Sequence, residues 1–391
     1  VKYAVLVGAI VIGAVACSSA ENEGGGPSNP AVDGGGGGKG PDGGSAQPDG
    51  GDDPGELSDL ETVHITGRFD ARDPAGIRFS WPGTSVRARF SGTGVTLHLV
   101  DTGADQFDVS IDGAPPTLLK TTADQNTYSL ASGLADGDHD VVVTKRTEAL
   151  IGSAQLFEFV SSEGRSLVAT RVKLGRRIEI VGDSISCGYG VLGTEPTCAF
   201  GADTESEPSA YGNLTAQALG ASHTTIAYSG IGMVRDFGGA SVDQMPDRYG
   251  RALADDPTSV WNGSEEPDAI VVNLGTNDFQ ATEPGPIFQT TYETFLGTLR
   301  TKHPNAVIVA TLSPMISDYY PEGGNFRTLA RGYIQGAVAT RNAQGDAKVS
   351  FLEFDLQTGE DGYGCDFHPN VVTHQKMSAK LVSVLKNQLG W

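Results

Sequence analysis

From residue 178 to the C-terminus the chain alternates short, almost wholly apolar segments with longer stretches in which apolar residues recur at helical spacing. The segments 178–181, 224–228, 269–274, 307–312 and 349–353 read as strands, and 209–219, 288–302, 325–341 and 373–389 read as helices. A strand that is apolar on both faces must be covered on both, and strands that alternate with amphipathic helices pair in parallel through crossovers. Residues 171–391 are therefore predicted to form a three-layer α/β/α domain. Ligands gather beyond the carboxyl ends of the strands in such a sheet, so chemistry is sought in the loops that follow them.

Between 57 and 170 the pattern differs. Stretches such as Ile77-Arg78-Phe79-Ser80-Trp81, Val86-Arg87-Ala88-Arg89-Phe90, Val95-Thr96-Leu97-His98-Leu99 and Phe107-Asp108-Val109-Ser110-Ile111 alternate in polarity, and 127–130, 139–145 and 154–160 continue the series. Turn dipeptides such as Asp112-Gly113 and Asp136-Gly137 separate the later ones, and no stretch has a helical period. Alternating strands joined by tight turns predict an antiparallel β-sandwich of jelly-roll type over 57–170.

Residues 18–56 hold almost no large apolar side chain, and Gly34 to Gly38 form an unbroken glycine run. Nothing there can build a core, so a flexible tether is expected. Ahead of it, Lys2 and the apolar run from Tyr3 to Val15 are too short to span a bilayer and read as a secretion leader over 1–17. Ala14-Val15-Ala16-Cys17 resembles a bacterial lipobox, which implies cleavage before Cys17 and a lipid on its thiol. The plainer alternative is an ordinary signal peptide with an incidental cysteine. Ser18 implies, within the same resemblance, an outer-membrane address in a Gram-negative source. The expected location is extracytoplasmic, at the cell surface. A formal charge of -21 argues against nucleic acid as a partner, because phosphate backbones are held by basic surfaces.

Several loops fall at predicted strand ends and carry chemistry. Gly182-Asp183-Ser184 follows the first strand of the C-terminal half, Ser229-Gly230 the second and Gly275-Thr276-Asn277-Asp278 the third, while Asp366-Phe367-His368 follows the last. Acyl transfer needs a nucleophile, a base, a group that orients the base, and donors aimed at the developing oxyanion. Ser184 offers the nucleophile and His368 the base. The amides of Ser184 and Gly230 and the side chain of Asn277 offer the oxyanion donors. Glycine at 230 would let the backbone approach a reacting carbonyl with no Cβ in the way. Taken singly, each block has a bland reading: Ser184 as a helix cap, Asn277 as a turn residue, and Asp183 and Asp278 as loop braces.

Taken together and in this order, Gly182-Asp183-Ser184, Gly230, Gly275-Thr276-Asn277-Asp278 and His368 resemble the four blocks of the SGNH/GDSL hydrolase superfamily. The resemblance implies a flavodoxin-like sheet. The upstream sandwich and the strings Gly-Asp-Ser-Ile-Ser-Cys-Gly-Tyr-Gly and His-Pro-Asn make the chain similar to carbohydrate esterase family 2, whose members remove acetyl groups from polysaccharides. Acetylated xylan or glucomannan is thus the implied substrate. The superfamily places an aspartate three residues before the histidine, and position 365 here is cysteine. Asp366 is taken as the orienting residue, with a backbone carbonyl and a Ser-His dyad as the alternative.

Tyr189 and Phe367, beside these loops, are the preferred aromatic platforms for a sugar ring, with core packing as the competing reading; Tyr228, Tyr319 and Tyr320 are weaker candidates. Cys187, Cys198 and Cys365 remain after the leader, enough for one disulfide in an oxidising compartment. Cys198 with Cys365 is preferred as a brace beside the catalytic loop, and Cys187 with Cys198 is the alternative. The mechanism needs no cofactor, and no Cys-x-x-Cys or His-x-x-x-His spacing points to a metal. Two other functions are compatible with the pattern: a lipase or thioesterase using the same machinery, and a surface carbohydrate-binding lipoprotein without activity.

Overall fold

The computed structural model describes residues 56–57, 61–263 and 265–391. The leader expected over 1–17, with Cys17, and the tether expected over 18–56 up to its last residue lie outside them.

The N-terminal strands are β1 (Glu56–Leu57), β2 (Val63–Thr66), β3 (Ile77–Phe79), β4 (Ser85–Gly92), β5 (Val95–Asp101), β6 (Gln106–Ile111), β7 (Thr117–Lys120), β8 (Thr127–Ala131), β9 (Gly137–Lys145) and β10 (Ala154–Ser161). They form two antiparallel sheets, in the orders β2-β4-β9-β6-β7 and β3-β10-β5-β8, while β1 pairs with β11 (Lys173–Leu174). Alternation puts Val86, Ala88 and Phe90 of β4 and Val95, Leu97 and Leu99 of β5 into a shared core with Phe79, Phe107 and Val141. Each such valine, leucine or phenylalanine taken from water stabilises the fold by about 1.5–3 kcal/mol. β2 and β7 escaped the sequence reading, as did the two-residue strands β1 and β11, the first of which takes in Glu56, the last residue of the expected tether. β7 is an edge strand with Leu118 half exposed, so it shows no inward-outward alternation.

The second sheet contains β12 (Arg177–Gly182), β13 (Ser222–Ala227), β14 (Ala269–Asn273), β15 (Val307–Leu312) and β16 (Val349–Glu353). All pairs are parallel, in the order β13-β12-β14-β15-β16. The helices are α1 (Ser184–Cys187), α2 (Tyr211–Leu219), α3 (Met245–Arg248), α4 (Ile287–Lys302), α5 (Phe326–Ala343) and α6 (Val371–Leu389). On one face, Ile270, Val272 and Ile308 pack against Phe288, Phe295 and Leu299 of α4 and Ile334 of α5. On the other, Ile178, Ile180, Val271 and Val309 pack against Leu219 of α2 and Leu381 and Leu385 of α6. This is the doubly covered parallel sheet that the apolar runs predicted. α1 and α3 are single turns, too short to leave a periodic signal.

The two halves dock through buried groups. Trp81, fully buried, enters the core of the α/β half and donates from Nε1 to the Arg251 carbonyl at 3.2 Å. Arg68 pairs with Glu179 of β12 at 3.0 Å. The 77–81 stretch read as one strand therefore ends at Phe79, because Trp81 serves the neighbouring core instead of the sandwich.

Candidate active site

The sheet order reverses direction at β12, which has β13 on one side and β14 on the other. Ligands bind at such a switch point. Gly182 ends β12 level with Ala227 of β13 and Asn273 of β14, so the loops that follow these three strands open on one crevice. They carry Ser184, Gly230 and Asn277.

Gly182 has no space for a side chain: a Cβ there would stand 2.1 Å from Ser186 Oγ. Buried Asp183 caps α1 by accepting from the Ile185 N–H at 3.1 Å, which puts Ser184 at the start of the helix, 5% exposed. Burial and the neighbouring Asp278 push the Asp183 carboxyl up to about 7. Ser184 Oγ lies 2.8 Å from His368 Nε2.

His368 follows a tight turn, Cys365–Phe367, in which Asp366 and Phe367 both have positive φ, 50° and 61°. The turn is tied down by a Cys198–Cys365 disulfide and by the Cys365 N–H, which donates to the Gly190 carbonyl at 3.0 Å. Cys187 is free and buried. His368 Nδ1 faces the backbone carbonyl of Asp366 at 3.2 Å. A carbonyl only accepts, so Nδ1 carries the proton and Nε2 is left to accept from Ser184. Burial pushes the imidazole down to about 4.

The Asp366 carboxylate does not orient the base. The left-handed backbone turns its carbonyl toward His368, and its Oδ2 instead accepts from the Tyr189 hydroxyl at 2.7 Å. Tyr189 is corrected as well: one face of its ring stacks on Phe200 at 4.0 Å and it packs against His368 at 4.2 Å, so it supports that imidazole and has no face free for a sugar. Phe367 is half exposed, touching Tyr363 by its edge. Tyr228 is a core residue under Arg248, whereas Tyr319 and Tyr320 are exposed. Phe237, also exposed, was not singled out from sequence; an isolated aromatic among glycines leaves no periodic signal.

Gly230 has φ 80°, and a Cβ there would meet nothing. Its glycine is required by the left-handed backbone conformation, not by crowding from neighbouring residues. Asn277, 7% exposed, donates from Nδ2 to the Ile231 carbonyl at 2.8 Å, which ties the third loop to the second. Asp278 accepts from the amides of Met233 (2.8 Å), Val234 (2.7 Å) and Arg235 (3.1 Å), the loop brace read from the sequence. His374, in the first turn of α6, is fully buried and accepts from the Tyr211 amide at 3.0 Å. It belongs to the core and not to the site.

A preorganised hydroxyl–imidazole pair at the mouth of a parallel sheet is the working part of a serine esterase. Comparison with known proteins agrees. A family model described as Carbohydrate esterase 2 N-terminal matches residues 65–170, and one described as GDSL-like Lipase/Acylhydrolase family matches residues 180–376. The chain is 38% identical over 331 residues to Cellulase/esterase CelE of Acetivibrio thermocellus, covering 84% of this chain and 40% of that protein's length. It is 28% identical to an Acetylxylan esterase / glucomannan deacetylase of Cellvibrio japonicus, over 84% of this chain and 89% of that one. Among solved structures, a family two carbohydrate esterase from Clostridium thermocellum in complex with cellohexaose is 37% identical, with a TM-score of 0.79, over 84% of this chain and 99% of that one. Because the likeness to that esterase runs through sandwich and sheet alike and takes in nearly all of its length, the chain belongs to carbohydrate esterase family 2.

Proposed function

We propose that the protein removes O-acetyl groups from polysaccharides such as xylan or glucomannan through an acyl-enzyme on Ser184. The observation that carries this reading is the 2.8 Å contact between Ser184 Oγ and His368 Nε2, with the other imidazole nitrogen held by a main-chain carbonyl. Ser184 Oγ attacks the ester carbonyl as its proton passes to Nε2. The amides of Ser184 and Gly230 and the Asn277 side chain receive the oxyanion. Collapse breaks the bond to the sugar oxygen, which takes the proton from His368. Water, deprotonated by the same nitrogen, then attacks the acetyl-enzyme and releases acetate. The named activity of the Cellvibrio relative and the cellohexaose bound to the Clostridium structure support a glycan ester as substrate. Exposed Phe367, Phe237, Tyr319 and Tyr320 are aromatic faces on which sugar rings stack.

The same reading places the protein outside the cell, held by lipid on Cys17; the Cys198–Cys365 disulfide supports an oxidising compartment. Labelled palmitate should enter the wild type and not Cys17→Ala.

The test is acetate release from acetylated xylan and glucomannan. Ser184→Ala and His368→Ala should each lower kcat by on the order of 10⁵–10⁶. Cleavage of long-chain esters with no acetate released from either polymer would make the protein a lipase, and activity surviving in Ser184→Ala would remove the nucleophile assignment.

A further inference from the structure

Behind the crevice two carboxyl groups are shut away from water. Glu148 belongs to the connection between β9 and β10 of the sandwich, and Glu205 to the segment ahead of α2; both are fully buried. Glu148 Oε2 accepts from the Ser229 N–H at 2.7 Å, and the Ser229 hydroxyl donates to Glu148 Oε1. The Glu148 N–H in turn donates to Glu205 Oε2 at 3.2 Å. Glu205 Oε1 has no partner among these N–H and hydroxyl donors, although it is buried. Beside it is the Glu148 carboxylate: the two side chains are within hydrogen-bonding reach of each other, and one atom each of Glu148, Glu205 and Cys187 lie within 4.8 Å of one another.

Two anions so close, and so far from water, cannot both persist. One proton between them supplies the missing partner of Glu205 Oε1. It lies on Glu205, because Glu148 already accepts from both donors of Ser229 and is the better stabilised anion. Burial and the Glu148 charge raise the Glu205 carboxyl well above the ordinary carboxylate range. The connection that carries Glu148 is itself fixed: Lys145 Nζ donates to the carbonyls of Thr147 (2.8 Å) and Glu148 (3.2 Å) and to Asp105 at 2.6 Å.

We propose that Glu148, contributed by the β-sandwich, is a positioning residue of the active site: bridged by one proton to Glu205, its carboxylate clamps Ser229 and thereby aims the N–H of Gly230. Ser229 is held at its amide and at its side chain, which fixes the Cα from which the next peptide leaves and so where the N–H of Gly230 stands. The inference rests on Gly230 being an oxyanion donor. It gives the sandwich a direct part in catalysis without any contact with substrate.

The experiment is steady-state hydrolysis of 4-nitrophenyl acetate by the full chain across pH, for Glu148→Ala, Glu148→Gln, Glu205→Ala and Glu205→Gln beside Ser184→Ala, with elemental analysis of the wild type. Loss of one oxyanion donor costs about 10²–10³ in kcat, and Glu148→Ala, which misaims the donor without removing it, should cost about 10- to 100-fold with little change in KM. Glu205→Ala should follow it in part. Glu205→Gln should recover most of its loss, since its amide donates to Glu148 as the carboxyl does, and Glu148→Gln, which keeps one oxygen to accept from the Ser229 N–H, should recover part of its own, which separates positioning from unfolding. Wild-type kcat should fall on the alkaline side as Glu205 loses its proton and the two charges repel. Both glutamine variants should lack that fall. The charged and titratable groups around the pair are Lys145, bound to Asp105, from the sandwich, and the Cys187 thiol, Asp183 and the Tyr189 and Tyr228 hydroxyls from the other half. An alkaline fall that persists in both glutamine variants would assign it to Cys187, Tyr189 or Tyr228 and overturn the shared proton. A divalent metal copurifying at about one per chain would put a cation where the proton is placed and overturn it too. Wild-type activity in Glu148→Ala with none in Ser184→Ala would reject the positioning role alone; activity in Ser184→Ala would reject the esterase chemistry beneath it.

Discussion

The imidazole of His368 finds its orienting acceptor in a peptide carbonyl, and this has two measurable consequences. A triad carboxylate both turns the ring and stabilises the imidazolium; a carbonyl turns it and stabilises it less. The proton affinity of His368 is accordingly low, with burial pushing it down to about 4. In the proposed mechanism the neutral ring is the active form, so on the acid side activity should hold down to this value and be lost as pH falls through it. A kcat/KM profile with its acid limb near 4, not near the ordinary 6.5, is the expected result. Asp366→Asn should lower kcat by less than about tenfold, whereas loss of a true triad aspartate costs on the order of 10⁴. The main-chain carbonyl survives that substitution, and an asparagine oxygen still accepts from Tyr189.

At the level of elements, the proposed base is carried by a turn and the proposed nucleophile by a strand end, and the two are held with different devices. Ser184 is fixed by β12, buried in the sheet, and by the Asp183 cap. His368 stands between a short turn in left-handed backbone and α6, whose first turn is capped by Asn370 accepting from the Thr373 N–H at 3.1 Å. The disulfide from Cys365 to Cys198 and the ring of Tyr189 reinforce the turn's own hydrogen bonds. Replacing Cys198 and Cys365 together by serine should lower stability by about 2–4 kcal/mol. It should also lower kcat more than it raises KM, because the displaced group is the base. Denaturant unfolding and initial rates on the same samples separate the two effects.

Across the whole molecule, the sandwich and the α/β half share a core and are not a module and an attachment. Trp81 fills space between Val181, Tyr249 and their neighbours, Arg68 is buried against Glu179, and Glu148 reaches the loop of Gly230. Trp81→Ala should cost about 3–5 kcal/mol and lower the melting temperature of the entire protein in one cooperative transition. Two separate transitions in calorimetry, with only one displaced, would show that the halves unfold independently.

The sequence by itself determined the elements whose own periodicity encodes them and the chemical identity of the pair. The parallel strands were legible because a strand buried on both faces must be apolar throughout, and Val307–Leu312 and Val349–Glu353 have the bounds that were read. Ser184, Gly230, Asn277 and His368 were legible because each follows a strand in a recognisable block. Single turns such as α1 and α3 and the exposed edge strand β7 left no period to read. The partner of His368 Nδ1, the burial of both faces of Tyr189 and the reach of Glu148 were decided only by the tertiary structure. Each depends on where a backbone carbonyl points or on which side chain from a distant segment fills a gap, and neither quantity is written in local residue spacing.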